Sequence, residues 1–90
     1  MAYEEQGRQI AADLSQQHGK LLEVRLESKS PCRIVLKYAR GELVLPSNFI
    51  FQFGYSGSGP SCFHAFLEAS GFSISRSQVE TAEEGVTLRP

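Results

Sequence analysis

Leu21-Leu22-Glu23-Val24-Arg25-Leu26-Glu27-Ser28 alternates apolar and polar side chains. Leu22, Val24 and Leu26 fall on one side, and Glu23, Arg25 and Glu27 on the other. A period of two is that of a strand with one buried and one wet face. Ser28-Lys29-Ser30-Pro31 breaks the run, because these are turn formers and proline cannot donate to a ladder. Ile34, Leu36 and Tyr38 then alternate with Arg33, Val35 and Lys37, which predicts a second strand. Arg40-Gly41-Glu42 predicts a tight turn, and Leu43 to Leu45 a third, short strand stopped by Pro46. Strands separated by such short breaks predict an antiparallel meander.

The flanks supply helices. On the N-terminal side, Tyr3, Gly7, Ile10, Ala11 and Leu14 share a stripe at helical spacing over residues 3–18, with Gly19 placed to end the helix and His18 near its negative end. On the C-terminal side, Phe49, Phe51 and Phe53 share one face of a segment expected to be extended over 48–54. The glycine-rich loop Gly54-Tyr55-Ser56-Gly57-Ser58-Gly59 leads to Pro60, which suits a first helical turn where a missing N–H costs nothing. The helix is expected to run to about Ser70, stopped by Gly71, with Phe63, Phe66, Leu67 and Ser70 on one face. In the tail, Phe72-Ser73-Ile74 starts like a strand and Ser77-Gln78-Val79-Glu80 has the form of a capping box. Gly85 is placed to close that short helix, and Val86 and Leu88 alternate like a last edge strand. Together these predict one α+β domain over residues 1–90: a small two-layer domain in which an antiparallel β-sheet (a meander) packs with two helices.

Composition narrows the function classes. The chain has 90 residues, 9 Lys plus Arg, 10 Asp plus Glu, and a net charge of −1. That balance argues against strong direct binding of nucleic acid, which draws on a basic surplus. No apolar run approaches the ~18 residues of a membrane span. Met1-Ala2-Tyr3-Glu4-Glu5 is acidic and does not read as a signal peptide. With only Cys32 and Cys62 available, a disulfide-built scaffold is not expected. A cytoplasmic location with reduced thiols follows as the expectation. Charge is uneven: no Lys, Arg, Asp or Glu lies between Glu42 and Glu68, a stretch that holds Phe49, Phe51, Phe53, Phe63 and Phe66. The core and any functional site are expected there.

Within that stretch, Phe53-Gly54-Tyr55-Ser56-Gly57-Ser58-Gly59-Pro60 resembles the signature of a group of small uncharacterised bacterial and bacteriophage proteins. The signature is an aromatic residue, Gly-Tyr, any residue, Gly, any residue, then Gly-Pro and a short apolar helix. The likeness extends over roughly residues 21–70. Phe53 stands where the group carries Trp, and Cys62-Phe63-His64 replaces its small apolar residues. No activity is attached to the group, so the resemblance brings no catalytic residue with it. It implies provenance: an accessory protein of a phage or mobile element that binds a host macromolecule, as inhibitors of bacterial defence complexes, anti-CRISPR proteins among them, do.

Tyr55, with Ser56, Ser58 and Ser61, is expected to form a partner-contact tip, since tyrosine is favoured at interfaces. Arg33, Lys37 and Arg40 lie in one hairpin, with Lys20, Arg25 and Lys29 to extend them. They read either as a solvated sheet face or as a modest basic patch for an acidic partner. Gly57, Ser58, Gly59 and Ser61 stand where a helix start offers free N–H groups to an anion, which keeps a phosphate or nucleotide site as the alternative. The loop matches neither common phosphate fingerprint: Pro60-Ser61 follows Gly59 where a P-loop needs Lys, and Cys62 stands where a dinucleotide fold needs its third Gly. Otherwise its glycines serve to reach positive φ and to let the helix pack closely. A third reading makes Cys62 a nucleophile with His64 nearby. Residues two apart on a helix diverge by about 200°, so His64 is expected to face Glu68 and Cys62 to border the core. Cys32, Cys62, His18 and His64 lack the paired spacing of a zinc site. The expectation is a non-enzymatic protein with no cofactor and no metal, no membrane association, and a host protein or ribonucleoprotein complex as partner. Its oligomeric state stays open between monomer and homodimer, with 43–53 as the region that would make a dimer.

Overall fold

The alternating pattern closes into a hairpin of β1 (Leu21–Lys29) and β2 (Cys32–Tyr38), paired Val24 to Leu36 and Leu26 to Ile34. The structure is a computed structural model and describes residues 3–90; the expectation for Met1 and Ala2 lies outside the described residues. β3 (Gly41–Val44) continues the meander along β2. β4 (Val86–Leu88) returns from the C-terminus to pair antiparallel with β1. The sheet order is therefore β3-β2-β1-β4, the antiparallel two-layer α+β arrangement expected from the sequence, with β3 and β4 as its two edge strands.

One face of the sheet carries the core. Val24, Leu26, Ile34, Leu36 and Tyr38 are buried there with Ala11 of α1 (Tyr3–His18) and Cys62, Phe63, Phe66 and Leu67 of α2 (Ser58–Ala69). The two helices meet at Gly7, where a Cβ would drive into the Cys62 carbonyl oxygen and come within 3.1 Å of the Phe66 nitrogen. A glycine inside a helix costs about 1 kcal/mol against alanine; here its bareness is what allows the backbones to approach. Gly19, at φ +87, ends α1 with its N–H donated to the Ser15 carbonyl, and Gly71, at φ +96, follows α2.

Several local expectations are corrected. Leu22 is 42% exposed, and Leu21 is buried in its place. The register steps from Leu21–Tyr38 to Glu23–Lys37, so Leu22 is an extra residue that shifts the facing of the strand start. Val35, expected on the wet face, is buried, because Arg25 and Val44 flank it in the register. Tyr3 is half-exposed rather than part of the buried stripe. The third strand starts at Gly41 and ends at Val44, though the Leu45 N–H still bonds the Ile34 carbonyl.

Residues 48–54 are not a strand, although Phe51 and Phe53 are buried as their alternation implied. Residues 72–74 are not a strand either. The capping box is Ser75 with Gln78, two residues earlier than expected, and opens α3 (Arg76–Glu80). Gly85, at φ +87, does not close that helix, which ends at Glu80; it turns the chain into β4 and bonds the Leu26 carbonyl. In each case local pattern marked a boundary, and tertiary pairing moved it.

Candidate functional site

The loop from Gly54 to Gly57 is braced from below. Gly54 takes φ +86, and its N–H donates to the Val79 carbonyl at 3.0 Å. Lys29 crosses it so closely that a Cβ there would lie 2.6 Å from the lysine Cε. The Ser56 hydroxyl donates to a Glu80 carboxylate oxygen at 3.3 Å, and Arg76 Nε donates to the same oxygen at 3.2 Å. Between these two anchors Tyr55 stands 50% exposed, its ring folded against Gly57. A loop held at both ends has already lost much of the freedom that binding would remove.

The residues expected to take an anion are placed less openly. Gly57, at φ 166, is ordinary extended backbone and caps α2 without a side-chain bond. Its carbonyl accepts both the N–H and the hydroxyl of Ser61, at 3.1 and 2.9 Å. Ser61 is thus buried and already satisfied. Gly59 is buried under Gln52, whose Cγ would lie 2.6 Å from a Cβ at that position. Its small size serves packing, and of these three glycines only Gly54 uses positive φ. Ser58 is exposed at the helix start.

The basic residues do not form one patch. Arg33 Nε donates to Glu27 at 2.6 Å. Arg25 is ringed by Glu23, Glu27 and Glu42 within 3.9 Å. Arg89 pairs with Glu23 at 2.9 Å. The Arg33 hydrogen bond holds the Glu27 carboxyl below its ordinary range, outweighing desolvation and helped by Arg25. Arg40 leaves the sheet face altogether: its guanidinium donates to the Gln16 carbonyl near the end of α1, an otherwise orphaned helix acceptor. Lys37 stands opposite Glu42 in the β2–β3 register.

Cys62 and Cys32 are free, buried thiols. Burial pushes both up from their ordinary value, and the Glu4 carboxylate adds to the effect at Cys62. An activated nucleophile needs the opposite shift. His64 Nε2 lies 2.9 Å from the Ile74 carbonyl and 3.7 Å from Glu68, the neighbour expected from helical spacing. A carbonyl only accepts, so Nε2 carries the proton and tethers α2 to the segment after it. His18 packs at 5.6 Å from the Tyr38 ring. Among the described residues no cluster of His, Cys, Asp and Glu is arranged to hold a metal. No cavity opens on the described surface, and none of the described helices is long and apolar enough to cross a membrane.

Of the bracing residues, Lys29 is expected only as an extension of the basic patch and Glu80 only as an acidic group facing an Arg-rich partner; neither they nor Val79 are expected beneath the loop. Ser77-Gln78-Val79-Glu80 reads as a helix start in the sequence, and the structure starts that helix after Ser75, but nothing in the pattern says that it docks under the loop. The chain matches no protein-family profile, no curated protein and no solved structure.

Proposed function

We propose that the protein is a non-enzymatic binding module whose contact point is the Tyr55 tip. The observation that supports this is a half-exposed tyrosine on a loop pinned at Gly54 and Ser56. Tyrosine offers a large contact area with few rotatable bonds, and pre-ordering keeps the entropic cost of binding low. Ser58 is exposed three residues further along the chain, and the region carries no charge of its own from Leu43 to Leu67. The raised Cys62 thiol argues against the nucleophile reading. The inward-turned Ser61 and covered Gly59 argue against the anion reading.

A partner of matching chemistry is a macromolecular surface with an apolar depression rimmed by hydrogen-bonding groups. The Phe53–Pro60 resemblance favours a host protein or ribonucleoprotein complex in the bacterial cytoplasm, and an accessory protein of phage or mobile-element origin. Inhibition of a defence complex is the most concrete form of that reading. The test is capture of partners from bacterial lysate by the tagged full chain, in parallel with Tyr55→Ala. An exposed side chain contributes little to stability, so the variant is expected to melt as the wild type does. A stoichiometric partner should be lost from the variant, by at least about tenfold if Tyr55 is an anchor. Equal capture by the two proteins would remove Tyr55 from the interface.

A further inference from the structure

We propose that the free edge of β3 pairs with the same edge of a second copy, joining two four-stranded sheets into one continuous sheet about a two-fold axis at Leu43. The inference is independent of the Tyr55 reading and uses none of its residues.

The ladder decides which groups are free. β2 and β3 pair Tyr38 with Gly41, Leu36 with Leu43, and Ile34 with Leu45, whose N–H donates to the Ile34 carbonyl at 2.9 Å. Hydrogen-bonded pairs recur at every second residue of an antiparallel ladder. The intervening residues Glu42 and Val44 therefore turn their N–H and carbonyl groups away from β2, and both are exposed. A row of unused main-chain groups on an edge strand is a template for another strand.

The two edges of the sheet differ. β4 spans Val86–Leu88 and has Glu83, Glu84 and Arg89 about it. β3 has Val44 at 51% exposure, and no charge follows Glu42 until Glu68. Its one charged residue, Glu42, is held by Arg25 at 3.3 Å. Leu43 faces the helices and is half-buried against the core.

Charge and proline select the register. Glu42 opposite Glu42 of the copy sets like charges face to face, which is destabilising. Val44 opposite Val44 places Glu42 opposite Pro46, which has no N–H to give. The register about Leu43 sets Glu42 opposite Val44 in both directions. It uses every outward N–H and carbonyl of the two residues, stacks Leu43 on its counterpart, and keeps each Glu42 with its own Arg25.

The experiment is sedimentation equilibrium of the full chain up to several hundred micromolar, with three variants. The short contact predicts self-association on the order of 100 µM, with the mass rising from 10.0 kDa towards twice that value. Val44→Pro removes an N–H that the β2 ladder does not use, and is expected to stay folded and monomeric. Should that variant fail to fold, the charge pair decides. Val44→Glu meets Glu42 of the copy twice and weakens association by roughly tenfold, whereas Val44→Lys meets it with opposite charge and does not weaken it. Wild-type chain that stays at 10.0 kDa throughout overturns the proposal. So does a folded Val44→Pro that still dimerises, and so does equal weakening by Glu and Lys.

Discussion

β2 and the segment Phe49–Phe53 carry the same alternating pattern, yet only β2 is a strand. Ile34, Leu36 and Tyr38 point into the core from a backbone paired on both sides, by β1 and β3. Phe51 and Phe53 are equally buried, but no main-chain hydrogen bond of the described residues uses an N–H from Ile50 to Phe53. Phe51 is held by other rings instead: Phe66 at 4.7 Å, Phe49 at 5.0 Å and Phe63 at 5.3 Å. Alternation reports which side chains are buried. Whether the backbone joins a ladder depends on an edge being free to receive it.

The largest effect should come from truncating the two sides of this comparison. Phe51→Ala removes a ring packed against three others and should cost about 3–5 kcal/mol in chemical denaturation, as much as Leu36→Ala in β2. Amide exchange should then separate them. The β2 amides should exchange only through global unfolding, and those of residues 50–53 through local opening orders of magnitude faster. Equal protection of both would mean that a ladder exists where none is seen.

Tyr38, at the end of β2, offers a smaller and more specific test. Its hydroxyl is buried with no hydrogen-bond partner among the described residues, and burial pushes its pKa up to about 12 from 10.0. A raised folded value means that the stability from the neutral phenol is whole below pH 10 and is lost as pH climbs towards 12. The loss should reach on the order of 2–3 kcal/mol. Tyr38→Phe removes both the orphaned hydroxyl and the titration. It should be about 1 kcal/mol more stable near neutrality, with the alkaline slope reduced. A less stable Tyr38→Phe would show that the hydroxyl has a partner.

The smallest effect belongs to the wet face of the hairpin. Glu27 accepts from Arg33 at 2.6 Å and from Arg25 at 3.4 Å, but in solvent. Glu27→Gln should lower Tm by no more than about 3 °C. Its carboxyl is depressed in the fold, so the difference should be present above about pH 4.5 and fade as pH falls through the folded value. A difference that persists in acid would point to packing of the Glu27 stem rather than its charge.

The sequence by itself determined the hairpin, both long helices and the stops at Gly19 and Gly71, because each depends on neighbours within a few residues. It also determined the burial of Phe51, Phe53, Phe63 and Phe66, the pairing of His64 with Glu68, and the loop that carries Tyr55. Only the tertiary structure decided the rest. Leu22 became an exposed bulge because the nine residues of β1 pair with only seven of β2, and the register slips at Leu22 and again between Leu26 and Ser28. Arg40 left the basic face because the end of α1 lies within its reach. Residues 48–54 stayed out of the sheet, and the Tyr55 loop is braced because α3, more than 20 residues downstream, supplies Val79 and Glu80 beneath it. These are contacts between segments far apart in the chain. No local period encodes them, because the free energy that selects them exists only once both surfaces have been formed.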